Sequence, residues 1–72
     1  MRVVIYSDDH EPAHVHCIED ENVVVLILDA PEGQLLEREC WGFSERDVNR
    51  IRKDLLPHIK HLRKEWKRIQ NG

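Results

Sequence analysis

The apolar residues of this chain change rhythm once. Up to residue 43 they come in short, β-branched runs separated by turn formers; beyond Ser44 they recur every three or four positions. Val3 to Tyr6 predicts a first strand, and His14-Val15-His16-Cys17-Ile18 alternates as a short second one. Between them, Ser7-Asp8-Asp9-His10-Glu11-Pro12 is rich in residues that turn the chain, and Pro12 pushes Glu11 toward extended geometry. An acidic turn, Glu19 to Asn22, leads into a third strand, Val23 to Leu28. Ala30-Pro31-Glu32-Gly33 predicts a turn, because Pro presets φ and Gly is free to take positive φ. Leu35 to Trp41 then returns as a fourth strand.

The remainder predicts one helix. Val48, Ile51, Leu55, Ile59, Leu62, Trp66 and Ile69 form a stripe with helical spacing, Ser44 stands at the N-cap position with Asp47 three residues on, and Asn71-Gly72 is a stop. Pro57 falls inside the stripe, where it removes a backbone hydrogen bond and crowds the Lys53 carbonyl. The stripe keeps its phase across it, so the expectation is a kink. The fold class is α+β: a three- or four-stranded antiparallel sheet followed by one long C-terminal helix.

The third strand adds a constraint. Val23-Val24-Val25-Leu26-Ile27-Leu28 is apolar at odd and even positions alike, as is Val3-Val4-Ile5-Tyr6, and alternate strand residues point to opposite faces. One helix covers one face. The expectation is a homodimer or a protein partner on the other; the alternative is that the kinked helix and chain ends suffice.

Size sharpens that expectation. Seventy-two residues make a single domain (residues 1–72), and a chain this short buries only about 60% of its unfolded surface. Disulfides, a metal or a partner commonly supplement so thin a core. Cys17 and Cys40 are the only cysteines and no secretory segment is read before them, so the expectation is a cytoplasmic protein with reduced, core-packed thiols. The longest apolar run, Val23 to Leu28, is far below the roughly 20 residues of a membrane span.

Charge divides the chain. Residues 1–43 carry two basic and ten acidic residues, a net of −8; residues 44–72 carry nine basic and four acidic, a net of +5. The acidic β-rich part therefore precedes a basic amphipathic helix over 44–70. Such a helix attracts nucleic acid, pairs with the acidic half of a second copy, or is simply solvated.

The candidate chemistry is imidazole. His10, His14 and His16 lie close in sequence, and on a strand His14 and His16 share a face roughly 7 Å apart. That spacing suits a divalent metal such as zinc on His10, His14 and His16, or a general acid and base. Asp9 or Asp8 is placed to orient a ring. Helix geometry puts His58 on the flank of the stripe, able to look onto the sheet, and His61 on the solvent side. The catalytic candidates are thus His14, His16 and His58, with packing as the alternative role. Trp41 and Trp66 read as core anchors. Ser7 and Ser44 read as turn and cap residues. No nucleophile constellation and no glycine-rich phosphate loop stands out.

Asp9-His10-x-Pro12-x-His14-x-His16, followed by a hairpin and a helix with His58 eight residues before Trp66, resembles the small bacterial proteins of domain-of-unknown-function family 4160. Ala13 stands where the family commonly has proline and Val15 where an aromatic is usual. The resemblance implies a component of a toxin–antitoxin-like two-gene system acting through protein–protein binding, with a cognate partner of family 2442. A small RNA-cleaving enzyme, with Arg46, Arg50, Lys53 and Lys60 holding phosphate, and a metal-binding protein are the alternatives.

Overall fold

The computed structural model describes residues 1–31 and 34–71. Four strands, β1 (Arg2–Val4), β2 (His14–Glu19), β3 (Asn22–Ile27) and β4 (Leu36–Trp41), form an antiparallel sheet in the order β1-β2-β3-β4. The helical part follows as α1 (Glu45–Leu55), one 3-10 turn (Leu56–His58) and α2 (Ile59–Asn71). This is the α+β arrangement predicted from the pattern. The expected turn at Ala30–Gly33 lies partly outside the described residues, as does Gly72.

β1 is shorter than the Val3–Tyr6 run suggests, for a visible reason. The Tyr6 carbonyl accepts from the Gln70 side chain at 2.7 Å and from the Asp9 backbone at 3.4 Å, so the chain leaves the ladder to be strapped to α2. Ser44 caps α1 as expected: its hydroxyl accepts from the Asp47 N–H at 3.1 Å, and the Asp47 carboxylate accepts from the Ser44 N–H at 3.4 Å. Pro57 interrupts the helix as a 3-10 turn, and the apolar stripe continues on the far side.

The core lies between one sheet face and that stripe. Val15, Cys17, Val24, Leu26 and Leu28 pack against Val48, Ile51, Leu55 and Trp66. On the opposite face, Ile18, Val23 and Ile27 are half-buried and Trp41 is 56% exposed. Trp41 is therefore a correction to its reading as a core anchor: cross-strand pairing with Val23 puts it on the face the helix does not cover. Trp66 is buried as expected. Among the described residues, no helix is long and apolar enough to cross a membrane.

β4 carries a β-bulge. Val25 pairs with Glu39 while Leu26 pairs with Glu37, which leaves Arg38 as the extra residue. Bulges re-aim side chains and strengthen local twist. This one lies two strands from His16 and in line with it, since His16 and Glu39 both pair with Val25 on β3.

Candidate functional site

The strand pattern predicts that His14 and His16 share a face, and their rings stand 5.4 Å apart, tilted edge to face. The loop between β1 and β2 folds back over them and brings in Asp9. Side-chain donor atoms of Asp9, His14 and His16 all lie within 4.8 Å of one another.

Tertiary contacts hold this end of the sheet. The Leu28 N–H donates to the Ala13 carbonyl at 2.7 Å, and the Ala13 N–H reaches the Asp29 carboxylate at 3.4 Å. Arg63 on α2 donates to the Leu28 carbonyl at 2.8 Å and pairs with Asp29 at 3.6 Å. Together with Gln70 on Tyr6, these bonds tie the loop and the start of β2 to α2.

His14 is only 5% exposed, and its two nitrogens face different groups. Nδ1 is 2.7 Å from the Pro12 carbonyl, which can only accept, so Nδ1 carries the proton. Nε2 is 3.4 Å from Asp9 Oδ2. That carboxylate oxygen is buried without a hydrogen-bond partner, and so is His16 Nδ1. Burial without a partner is unfavourable for such atoms, most of all for a carboxylate. Desolvation by burial holds the His16 imidazolium below the ordinary histidine range, with Asp9 and Glu39 acting in the opposite direction and His14 and Arg38 reinforcing it. Tyr6 meets the His16 ring edge-on at 4.7 Å.

The trio borders a pocket of about 280 Å³ whose rim includes Asp8, His10, Glu11, Arg38 and Glu39. His10 thus reaches the same pocket but is exposed and outside the close trio; Asp9, expected only to orient a ring, takes the third place instead. The reason is the turn at Tyr6–Asp9, which points Asp9 inward.

His58 is corrected more fully. It is exposed in the 3-10 turn at Pro57 and is not among the residues lining this pocket, so it does not stand beside His14 and His16. His61 is exposed, as expected. Arg46, Arg50, Lys53 and Lys60, the candidate phosphate holders, do not line the pocket either. Arg38 and Glu39 were not anticipated. Their place depends on the bulge, which no local spacing announces.

These features define a small α+β domain with two histidines and an aspartate gathered at one end of its sheet. Residues 1–67 match the family model described as Domain of unknown function (DUF4160), and the chain belongs to this family. No curated protein and no solved structure matches it.

Proposed function

We propose that Asp9, His14 and His16 bind a divalent transition-metal ion, making this chain a small metal-binding protein. The observation that carries the reading is the buried cluster itself: His14 Nε2 faces Asp9 Oδ2 at 3.4 Å, that oxygen and His16 Nδ1 have no hydrogen-bond partner, and Nδ1 of His14 is engaged by the Pro12 carbonyl. Two metal-bound donors at about 2.1 Å and a tetrahedral angle stand roughly 3.4 Å apart. A cation gives the orphaned carboxylate oxygen and the unpartnered His16 nitrogen a partner.

The donor set supports the same conclusion. Two imidazoles and one carboxylate suit zinc or a similar first-row ion, and three protein ligands leave a position for water on the pocket side. The Pro12 carbonyl accepting from His14 Nδ1 is the outer hydrogen bond that metal-ligating histidines usually make. Acidic Asp8, Glu11 and Glu39 on the rim favour a cation. The nuclease alternative loses ground because none of Arg46, Arg50, Lys53 and Lys60, assigned to phosphate, is among the residues lining the histidine pocket.

Titration calorimetry of zinc into the untagged protein tests this. The expected result is one equivalent bound, with affinity falling at least about tenfold in His14→Gln, His16→Gln and Asp9→Asn, and changing less than about threefold in His10→Ala. Circular dichroism confirms that each variant is folded. An absence of zinc, cobalt, iron and manganese binding by the wild type, or binding unaffected by the three ligand changes, overturns the reading. A bare Asp9–imidazolium pair predicts that second result.

A further inference from the structure

Among the described residues β4 is an edge strand: it pairs with β3 on one side only. Its free side offers unpaired backbone donors and acceptors, a template for another strand. Two exposed apolar side chains stand at its ends, Leu36 at 42% and Trp41 at 56% exposure, and between them the sequence runs Glu37-Arg38-Glu39-Cys40.

Laid antiparallel against a copy of itself, this strand has one register that satisfies both charge and shape. Arg38 then faces the partner's Glu39, Glu39 faces the partner's Arg38, and Leu36 faces the partner's Trp41 at both ends. A slip of one position in one direction sets Arg38 against the partner's Arg38 and Glu37 against the partner's Glu39. A slip in the other sets Glu39 against the partner's Glu39. Like charges directly opposite destabilise a strand pair, and opposite charges stabilise it.

The bulge makes this register consistent. Residues directly opposite in an antiparallel pair share a face, yet Leu36 and Trp41 are an odd number of positions apart, which in a regular strand places them on opposite faces. The extra residue at Arg38 corrects the phase. Leu36 beside Ile27, Glu39 beside Val25 and Trp41 beside Val23 all lie on the face of His16. Glu37 beside Leu26 and Cys40 beside Val24 lie on the helix face, so Glu37 can face the partner's Cys40. Charges and bulges commonly shield an edge from foreign strands. In this arrangement they exclude strands of other sequence and admit a second copy.

We propose that two copies of this chain pair through the free edge of β4, about a two-fold axis between Arg38 and Glu39. Arg38 and Glu39 also rim the histidine pocket, so the partner's Arg38 and Glu39 approach the mouth of each site. The pairing does not depend on a metal being bound.

Sedimentation velocity of the untagged full chain, of 8.6 kDa, tests the pairing. The wild type is expected to dimerise on the order of tens of micromolar, as a small interface does. R38E and E39R each set like charges against each other at both central pairs and are expected to weaken dimerisation at least about tenfold. The double variant R38E/E39R is expected to return to within about threefold of wild type. An equimolar mixture of R38E and E39R chains, whose edges complement each other, is expected to form a heterodimer. A wild type that stays monomeric at millimolar concentration overturns the proposal. So does a dimer indifferent to either single change, or one that neither the double variant nor the mixture recovers. Asp9→Asn, which removes a proposed metal ligand and leaves β4 unchanged, is expected to lose zinc and keep wild-type dimerisation, so loss of one property is distinguishable from loss of the other.

Discussion

Cys17 shows how burial alone decides the chemistry of one side chain. It is fully buried in the apolar core, and desolvation pushes its thiol up to about 11. It is therefore neither a nucleophile nor a metal ligand near neutrality. Cys40 is half-buried, its thiol 3.5 Å from the Phe43 carbonyl, and is the more accessible of the two. Alkylation of the native protein near pH 8 is expected to label Cys40 alone, read by mass spectrometry, with Cys17 reacting only after unfolding. The sign of the pH effect follows. An unfolded thiol loses its proton near 9.0 and the folded one only near 11, so the Cys17 contribution to stability is complete below about pH 9 and declines as pH rises toward 11. The difference in urea midpoint between wild type and Cys17→Ala is expected to shrink across that interval; a constant difference refutes the assignment. The histidines teach a complementary lesson. His14 and His16 were legible because strand alternation is a local rule. Asp9 was legible only as a neighbour, since its inward aim depends on a loop held by Gln70 from the far end of the chain.

The elements themselves were largely written in the spacing of apolar residues. The helical stripe named from Val48 to Trp66 is the face that packs on the sheet, and the cap at Ser44 is in place. Ser44→Ala removes the side-chain acceptor for the Asp47 N–H while leaving the packed face intact. The expected loss is about 1 kcal/mol, seen as a fall of roughly 4–8 °C in melting temperature. No change means that solvent replaces the cap without loss. What the pattern did not disclose were features created by pairing between elements. The bulge at Arg38 depends on how Val25 and Leu26 meet β4, and the exposure of Trp41 depends on its lying opposite Val23. A tryptophan ending an apolar run gives no local hint of which face it joins. His58 was placed by an unbroken helical wheel, and it falls instead in the 3-10 turn at Pro57, exposed, while Ile59, Leu62 and Trp66 keep the stripe on the core.

At the scale of the molecule, one sheet face and one broken helix make a thin core, and the histidine site is tied to that core rather than added to it. His14 touches the buried Trp66 with ring centres 6.4 Å apart, and Asp9 reaches it from a loop that β1 and α2 both anchor. A metal spanning Asp9, His14 and His16 therefore pins the β1–β2 loop to β2, and such an arrangement rarely persists in an unfolded chain. Binding to the folded state alone stabilises it by about 2.7 kcal/mol when free metal is a hundredfold above its dissociation constant. For a domain of this size each kilocalorie moves the melting temperature by roughly 4–8 °C, so zinc is expected to raise it by about 10–20 °C. The control lies in the two sites proposed above. Leu36→Ala, altered at the β4 edge and outside the lining of the histidine pocket, is expected to keep the full rise, whereas His16→Gln is expected to show almost none. An equal rise in His16→Gln shows that the stabilising ion does not need His16, which overturns the three-ligand site and leaves His10, His14, His58 and His61 as the imidazoles to test.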